Sequence, residues 1–368
     1  MSPPDTTEAM VLEDSGEMGL QEFQTPDVGE NDLLLEIEMT SVCGSDVELY
    51  EGDLHTWDPP YPLILGHEIV GRVGELGATA ADHHGVEQGD RVILEPYIPS
   101  YQAPYAQRGY YQLDDDVQVY GINKSCAEPP HLWGGYSHRM IVQEHSKLHP
   151  IAEDVPSEAA CLSSVMGNGV RWIVDKGDVG PGDSVVVIGP GVQGLASVLM
   201  AHLGGADPIV LIGTSSDTDR MELGEEYGAT HTINLDETDP AAAMADITAD
   251  GLADVAVCSA PATAAIRLGV DLLAPLGTAV IVANTEQEAT PVVMDDLIQK
   301  EAQIVAGLGQ SNNMPAAISV VERYPDLVQQ MISHVFPLKD AEKALRKQVH
   351  HSEAFDESLV HAAIRPNN

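Results

Sequence analysis

Three side chains able to bind a borderline-soft metal come close together early in the chain. Cys43 lies in Cys43-Gly44-Ser45-Asp46, and Gly66-His67-Glu68 follows, with His67 twenty-four positions after the Cys. A thiolate, an imidazole and a carboxylate suit Zn2+. A lone Cys is usually core and a lone His usually surface, so the neighbours must add specificity. A second constellation, Gly189-Pro190-Gly191-Val192-Gln193-Gly194, fits G-x-G-x-x-G. It directly follows the apolar run 184–188 and opens an apolar helix, which is the context that makes the pattern a dinucleotide fingerprint. Gly189 permits the tight turn, Gly191 lets backbone approach a pyrophosphate, and Gly194 lets helix and strand pack closely. The free amides at the helix start, around Val192 and Gln193, would face the phosphates.

The end of the next strand selects the nucleotide, since an acidic residue there holds the ribose 2′-hydroxyl of NAD. Here the strand runs into Gly213-Thr214-Ser215-Ser216, with no carboxylate at the expected place. Small hydroxyl residues and the downstream Arg220 could accommodate a 2′-phosphate. The turn therefore favours NADP over NAD, although Asp217 or Asp219 could serve a ribose or repel a phosphate.

These residues need elements to position them. The first third reads as strands and turns: 33–39, 69–73 and 91–94 are short apolar runs bounded by Gly-containing turns. Residues 96–136, rich in Tyr, Pro, Gln and Asp, read as a long surface lobe. From residue 184 the rhythm changes to strand, helix, strand. Apolar runs at 184–188, 208–212, 232–235, 255–258 and 279–283 alternate with helical stretches at 194–203, 221–227 and 264–273. That alternation predicts an α/β doubly wound parallel sheet. Beyond residue 309 it fades into two helical stretches and a final strand near 360–364.

The residues around the first constellation carry a resemblance. Gly66-His67-Glu68 continues with Gly71, Gly77 and Ala80, and Gly89-Asp90-Arg91-Val92 follows. Asn168-Gly169-Val170-Arg171, Lys300-Glu301 and His334-Val335-Phe336-Pro337-Leu338 come later. From about Leu33 onward the chain resembles the medium-chain zinc-type alcohol dehydrogenases. The resemblance implies a chaperonin-10-like, β-rich catalytic domain (1–167), a Rossmann domain (168–309) and a return to the catalytic domain (310–368). It implies Cys43 and His67 as zinc ligands, with Glu68 beside the metal and able to ligate it. It implies Ser45 as the hydroxyl that takes the alcohol proton and Asp46 as the group that orients His67. It also implies a homo-oligomer, dimer or tetramer, and a small alcohol or carbonyl substrate. Glu95-Pro96 resembles the polyol branch.

Three positions depart from that pattern. The third protein ligand, often Cys, falls on Ser164, and Cys161 is three residues out of register. The four Cys of a structural zinc are missing from 99–106 and from Asp114, so one catalytic zinc and no structural zinc are expected. Glu48 stands where many relatives have a proton-relaying His. Ser164 keeps open a zinc-free reductase of quinones or activated double bonds. A nucleotide-binding sensor without turnover is the reading from another class.

Composition sets the outer bounds. Fifty-eight acidic and 17 basic residues leave a net charge of −41, with seven Lys among them. Phosphate backbones need the opposite sign, so nucleic acid and anionic membranes are excluded as partners. Apolar residues make up 43%, enough for a core. Residues 1–19 have no basic and apolar leader pattern, and no apolar run reaches the roughly 20 residues of a membrane span. A cytoplasmic location is expected. An acidic, lysine-poor surface of this kind is that of a salt-adapted protein. Self-repulsion is screened within ~3 Å at molar salt, so folding and activity are expected to need molar salt. Full stability and activity in dilute buffer would remove this reading.

Overall fold

The computed structural model describes residues 5–54, 59–285, 287–349 and 359–367. The chain forms two compact units, Met1–Ser164 with Ala317–Asn368, and Val165–Ala316. Among the described residues no helix is long and apolar enough to cross a membrane.

The first unit is built on a sheet in the order Leu148–Pro150, Arg91–Leu94, Glu68–Leu76, Leu33–Ser41, Ala362–Arg365, His334–Pro337, with Arg139–Val142 also paired to Leu33–Ser41. Leu33, Leu35 and Ile37 alternate with Glu36 and Glu38, so one face of that strand is buried with Ile69, Val73, Val92 and Leu94. Glu38 is kept at the sheet by Arg72 and by the buried Arg91, each at 2.8 Å. A second apolar cluster joins the hairpin Thr6–Asp14 and Glu17–Gln24 to the helix Ala341–Val349 through Met10, Leu12, Leu49, Leu345 and Ile364. The hairpin was not visible in sequence because Glu17–Gln24 is partly or fully exposed along its length and carries no apolar alternation.

The 96–136 segment is less superficial than its composition suggests. Tyr97, Tyr111, Val119, Ile122, Leu132 and Tyr136 are buried in the second cluster. Glu95 is buried too; one oxygen accepts from Tyr111 Oη at 2.6 Å and the other meets His149 Nε2 at 2.7 Å. The segment contains one thiol, Cys126, which is buried in that cluster with its pKa pushed up to about 11 by burial. At the place of the fourth Cys of a structural zinc, Asp114 accepts hydrogen bonds from the amides of Tyr105 at 3.0 Å and Ala106 at 3.1 Å. A carboxylate on two amides thus ties this turn together.

The second unit is a six-stranded parallel sheet. Its order is His231–Asn234, Ile209–Gly213, Val185–Ile188, Ala253–Cys258, Leu273–Ile281, Gln303–Ala306. In sequence terms that is 3-2-1-4-5-6, the Rossmann order. Val185–Ile188 is buried throughout, as a central parallel strand must be. The helix Pro240–Ile247, absent from the sequence reading, starts on an Asp239 cap whose carboxylate accepts from Ala242 N at 2.8 Å. Gln303–Ala306 closes one edge with Ile304 exposed.

Asp114→Ala is expected to lower stability by about 1–3 kcal/mol, the size of charge-assisted hydrogen bonds. It should also remove hydrogen-exchange protection at the amides of Tyr105 and Ala106 while leaving metal content unchanged. Unchanged protection would show that the turn is held by its packing alone.

Candidate metal and dinucleotide sites

The metal constellation grows out of one strand pairing. Leu33–Ser41 and Glu68–Leu76 run antiparallel with Ser41 opposite Glu68. Cys43 leaves the end of the first strand and His67 precedes the second, so the register brings them together. Ligand atoms of Cys43, His67 and Glu68 all lie within 4.8 Å of one another. His67 and Glu68 are buried and Cys43 is half-buried.

Cys43 caps the helix Gly44–Glu51. Asp46 reaches back from the first turn to accept from Cys43 N at 3.0 Å. The same carboxylate, fully buried, accepts from Gly66 N at 3.2 Å and Tyr136 Oη at 3.4 Å. It also faces His67 Nδ1 at 3.4 Å, an ion-pair distance, too long for a good hydrogen bond. Gly66 is obligatory here: its φ is +87°, and a Cβ would stand 2.6 Å from the Tyr136 ring. The other ring nitrogen of His67, Nε2, is 3.5 Å from Ser45 Oγ.

Burial pushes the Cys43 thiol up, and the neighbouring Glu68 adds to the effect. Burial likewise raises the Glu68 carboxyl, against the pull of His67. Burial opposes charge on His67 as well, but Asp46 and Cys43 outweigh it and hold its pKa well above the usual range. A thiol and a carboxyl that burial keeps from ionising alone, beside an imidazole, form a donor set that suits a divalent cation able to displace their protons.

Ser41 was missed in the sequence and is part of this site. Its hydroxyl donates a short hydrogen bond to Glu68 Oε2. Cys161 lies behind it, fully buried, with its thiol beside the Ser41 hydroxyl and raised by burial and then by Glu68. Ser164 is buried, and Cys161 does not belong to the converging donor group of Cys43, His67 and Glu68. Glu48 sits half-buried later in the same helix as Ser45, also outside that group.

In the second unit the glycine positions fit a dinucleotide. Gly189 has φ +101°, and a Cβ there would stand 2.7 Å from Ala260 N. A Cβ on Gly194 would stand 2.0 Å from Gly189 O, whereas one on Gly191 would meet open space. Gly191 is the N-cap of Val192–Gly204, which has no side-chain cap, so its first amides remain for a ligand. At the following strand end Gly213 leads into Thr214, whose amide and hydroxyl donate to Asp217 Oδ2 at 3.0 and 2.8 Å. Arg220 Nη1 stands 3.3 Å from Asp217 Oδ1. The Ser215 amide donates to Asp236 Oδ2 at 2.8 Å. Asp236 is not legible as part of this turn in sequence, because it lies beyond the third strand and reaches the turn only through sheet pairing.

Residues 29–153 match the family described as alcohol dehydrogenase GroES-like domain, and residues 193–323 match the zinc-binding dehydrogenase family. A probable alcohol dehydrogenase of Mycobacterium tuberculosis is 33% identical over 317 residues, covering 84% of this chain and 85% of that protein. An erythritol/L-threitol dehydrogenase of Mycolicibacterium smegmatis is 27% identical over 98% of this chain and 99% of its own length. The crystal structure of an alcohol dehydrogenase from Thermotoga maritima superposes with a TM-score of 0.88 at 26% identity, covering 98% of this chain and all of that one. With the Cys-His-Glu constellation at the strand pairing and the glycine turn on a Rossmann sheet, the chain belongs to the zinc-type medium-chain alcohol dehydrogenase family.

Proposed function

We propose that this chain oxidises an alcohol or polyol, or reduces the matching carbonyl, with one zinc and a nicotinamide dinucleotide. The convergence of Cys43, His67 and Glu68 in a buried setting carries the reading. Oxidation of an alcohol releases a hydride from carbon and a proton from oxygen. When bound, zinc supplies Lewis acidity, which can bring an oxygen ligand from pKa ~15.7 to ~7, and the nicotinamide supplies the hydride acceptor. Cys43, His67 and Glu68 hold the ion. Asp46 orients the imidazole through Nδ1, as a ligating His requires. Ser41 fixes one oxygen of Glu68, and Glu68 would then be the third protein group to hold the ion, in place of the position occupied by Ser164. Ser45 takes the substrate proton, and Glu48 passes it on towards water. The amides at Val192 and Gln193, with Gly189, Gly191 and Gly194, receive the pyrophosphate.

A polyol is favoured as substrate by the erythritol/L-threitol relative that spans nearly the whole chain. Glu95 contributes nothing to that choice, because both its oxygens are occupied by Tyr111 and His149. The zinc-free reductase stays as the second reading on one observation, a buried Ser at position 164.

Chelator treatment is expected to remove metal and turnover together, with Zn2+ restoring both. Cys43→Ala and His67→Ala should each abolish metal binding and activity. Ser45→Ala should keep the metal and lose roughly 10²–10⁴-fold in kcat, the usual worth of a positioned proton acceptor. Ser41→Ala should release zinc to chelator faster. Elemental analysis finding no metal in a fully active enzyme would transfer the chain to the zinc-free reductases.

The turn after the second strand also bears on the cofactor. Thr214, Ser215 and Arg220 favoured NADP in sequence, but Arg220 is engaged by Asp217 and the Ser215 amide by Asp236. Two carboxylates at this turn would repel a 2′-phosphate by about 1–4 kcal/mol at ~4 Å. Either can accept from a ribose hydroxyl. NAD is therefore the favoured cofactor, at least roughly tenfold in kcat/KM, and Asp236→Ala should narrow the gap. A preference for NADP in steady-state kinetics would restore the reading from the hydroxyl-rich turn.

A further inference from the structure

A second group of metal-binding side chains lies away from the site already described. His83, Glu144 and His145 are exposed, and one donor atom from each falls within 4.8 Å of the others. They come from two segments, the short helix Ala80–His84 and the turn that follows Arg139–Val142.

Both segments are pinned by groups that are not donors themselves. The turn is held by the buried Tyr120, whose hydroxyl accepts from Gln143 N at 2.8 Å and pairs with Ser146 Oγ at 2.7 Å. Glu144 N donates to Asp32 Oδ1 at 2.9 Å, which also sets a further carboxylate nearby. The helix is anchored by His84 Nε2 on Asn31 O at 2.9 Å and by Thr79 Oγ1 on Glu30 O at 3.1 Å. The His83 ring contacts the Glu144 carbonyl through Nε2, and the His145 ring meets Tyr101 edge to face at 5.4 Å. A ligating His usually gives its other N–H to such a carbonyl, leaving its second nitrogen as the lone-pair donor.

We propose that His83, Glu144 and His145 form an exchangeable surface site for a borderline divalent cation such as Zn2+ or Ni2+. Two imidazoles with one carboxylate match that class of ion and do not match Mg2+ or Ca2+, which take oxygen ligands. Donors about 2.0–2.2 Å from such an ion stand about 3.3–3.5 Å apart. The exposed side chains reach that spacing by small rotations, and solvent fills the remaining positions. The strongly negative protein surface raises the local cation concentration. The bound ion would clip the helix Ala80–His84 to the turn carrying Glu144, two segments far apart in sequence.

The test is equilibrium dialysis of the whole enzyme, as purified, against Ni2+ in molar NaCl with excess Mg2+. One additional ion per chain is expected. His83→Ala, His145→Ala and Glu144→Gln should each weaken it by at least roughly tenfold, since even partners behind a ligand are worth 10–100-fold. The double variant His83→Ala/His145→Ala should lose it entirely with turnover unchanged. No additional ion, or one that survives the double variant as diffuse binding to the acidic surface would, overturns the proposal. Because the readout is the difference of one ion between wild type and the double variant, it stands whether or not the Cys43 site holds zinc.

Discussion

The register of two neighbouring strands governs the chemistry of this protein. Leu33–Ser41 and Glu68–Leu76 pair so that Ser41 faces Glu68, and the strand ends then deliver Cys43 and His67 to the same place. A slip by one residue would turn every side chain of a strand to its other face. It would expose Leu33, Leu35 and Ile37 and part Cys43 from His67 and Glu68 at once. The apolar alternation that fixes the register for packing thus fixes the metal donors as well. Core and site are specified by one pattern, and no loop has to find the geometry independently.

Asp46 ties the remaining parts to that register. It is fully buried with a side chain that meets the Cys43 amide, the Gly66 amide, the Tyr136 hydroxyl and the His67 ring. A buried carboxylate is tolerable only where its lone pairs are filled and an opposite charge is near. Here the Cys43 and Gly66 amides fill them and the His67 ring faces the same carboxylate, so Asp46 serves as helix cap, turn clamp and imidazole partner together. Glycine at position 66 follows from this arrangement, since Tyr136 leaves no room for a Cβ.

The second unit solves a different problem with different means. Its phosphate cradle needs backbone close to a ligand, so side chains are removed where they would intervene. Gly189 and Gly194 are required by the protein's own packing, and only Gly191 faces open space. The nucleotide-selecting turn is furnished instead with side chains from separate strands. Asp236 beyond one strand and Asp217 beyond the next meet the backbone of Thr214 and Ser215. Asp217 supplies one carboxylate from the turn's own sequence, and Asp236 brings a second across the sheet.

Local signals were legible in the amino-acid sequence. The central glycine turn, the buried strands of the parallel sheet and the Cys43, His67 and Glu68 donors all rest on residue type and short spacing, which a linear reading contains. Helix Pro240–Ile247, capped by Asp239, and the polar hairpin strand Glu17–Gln24 lack apolar periodicity and escaped it. Tertiary structure alone decided that Ser41 holds Glu68, that Glu95 is consumed by Tyr111 and His149, and that Asp236 reaches Ser215. It alone decided that His83 meets Glu144 and His145. Each of these joins residues from different strands or turns, and their distances depend on strand register and loop packing. Residue types determine what chemistry is available, and the non-local pairing of strands determines which groups perform it together.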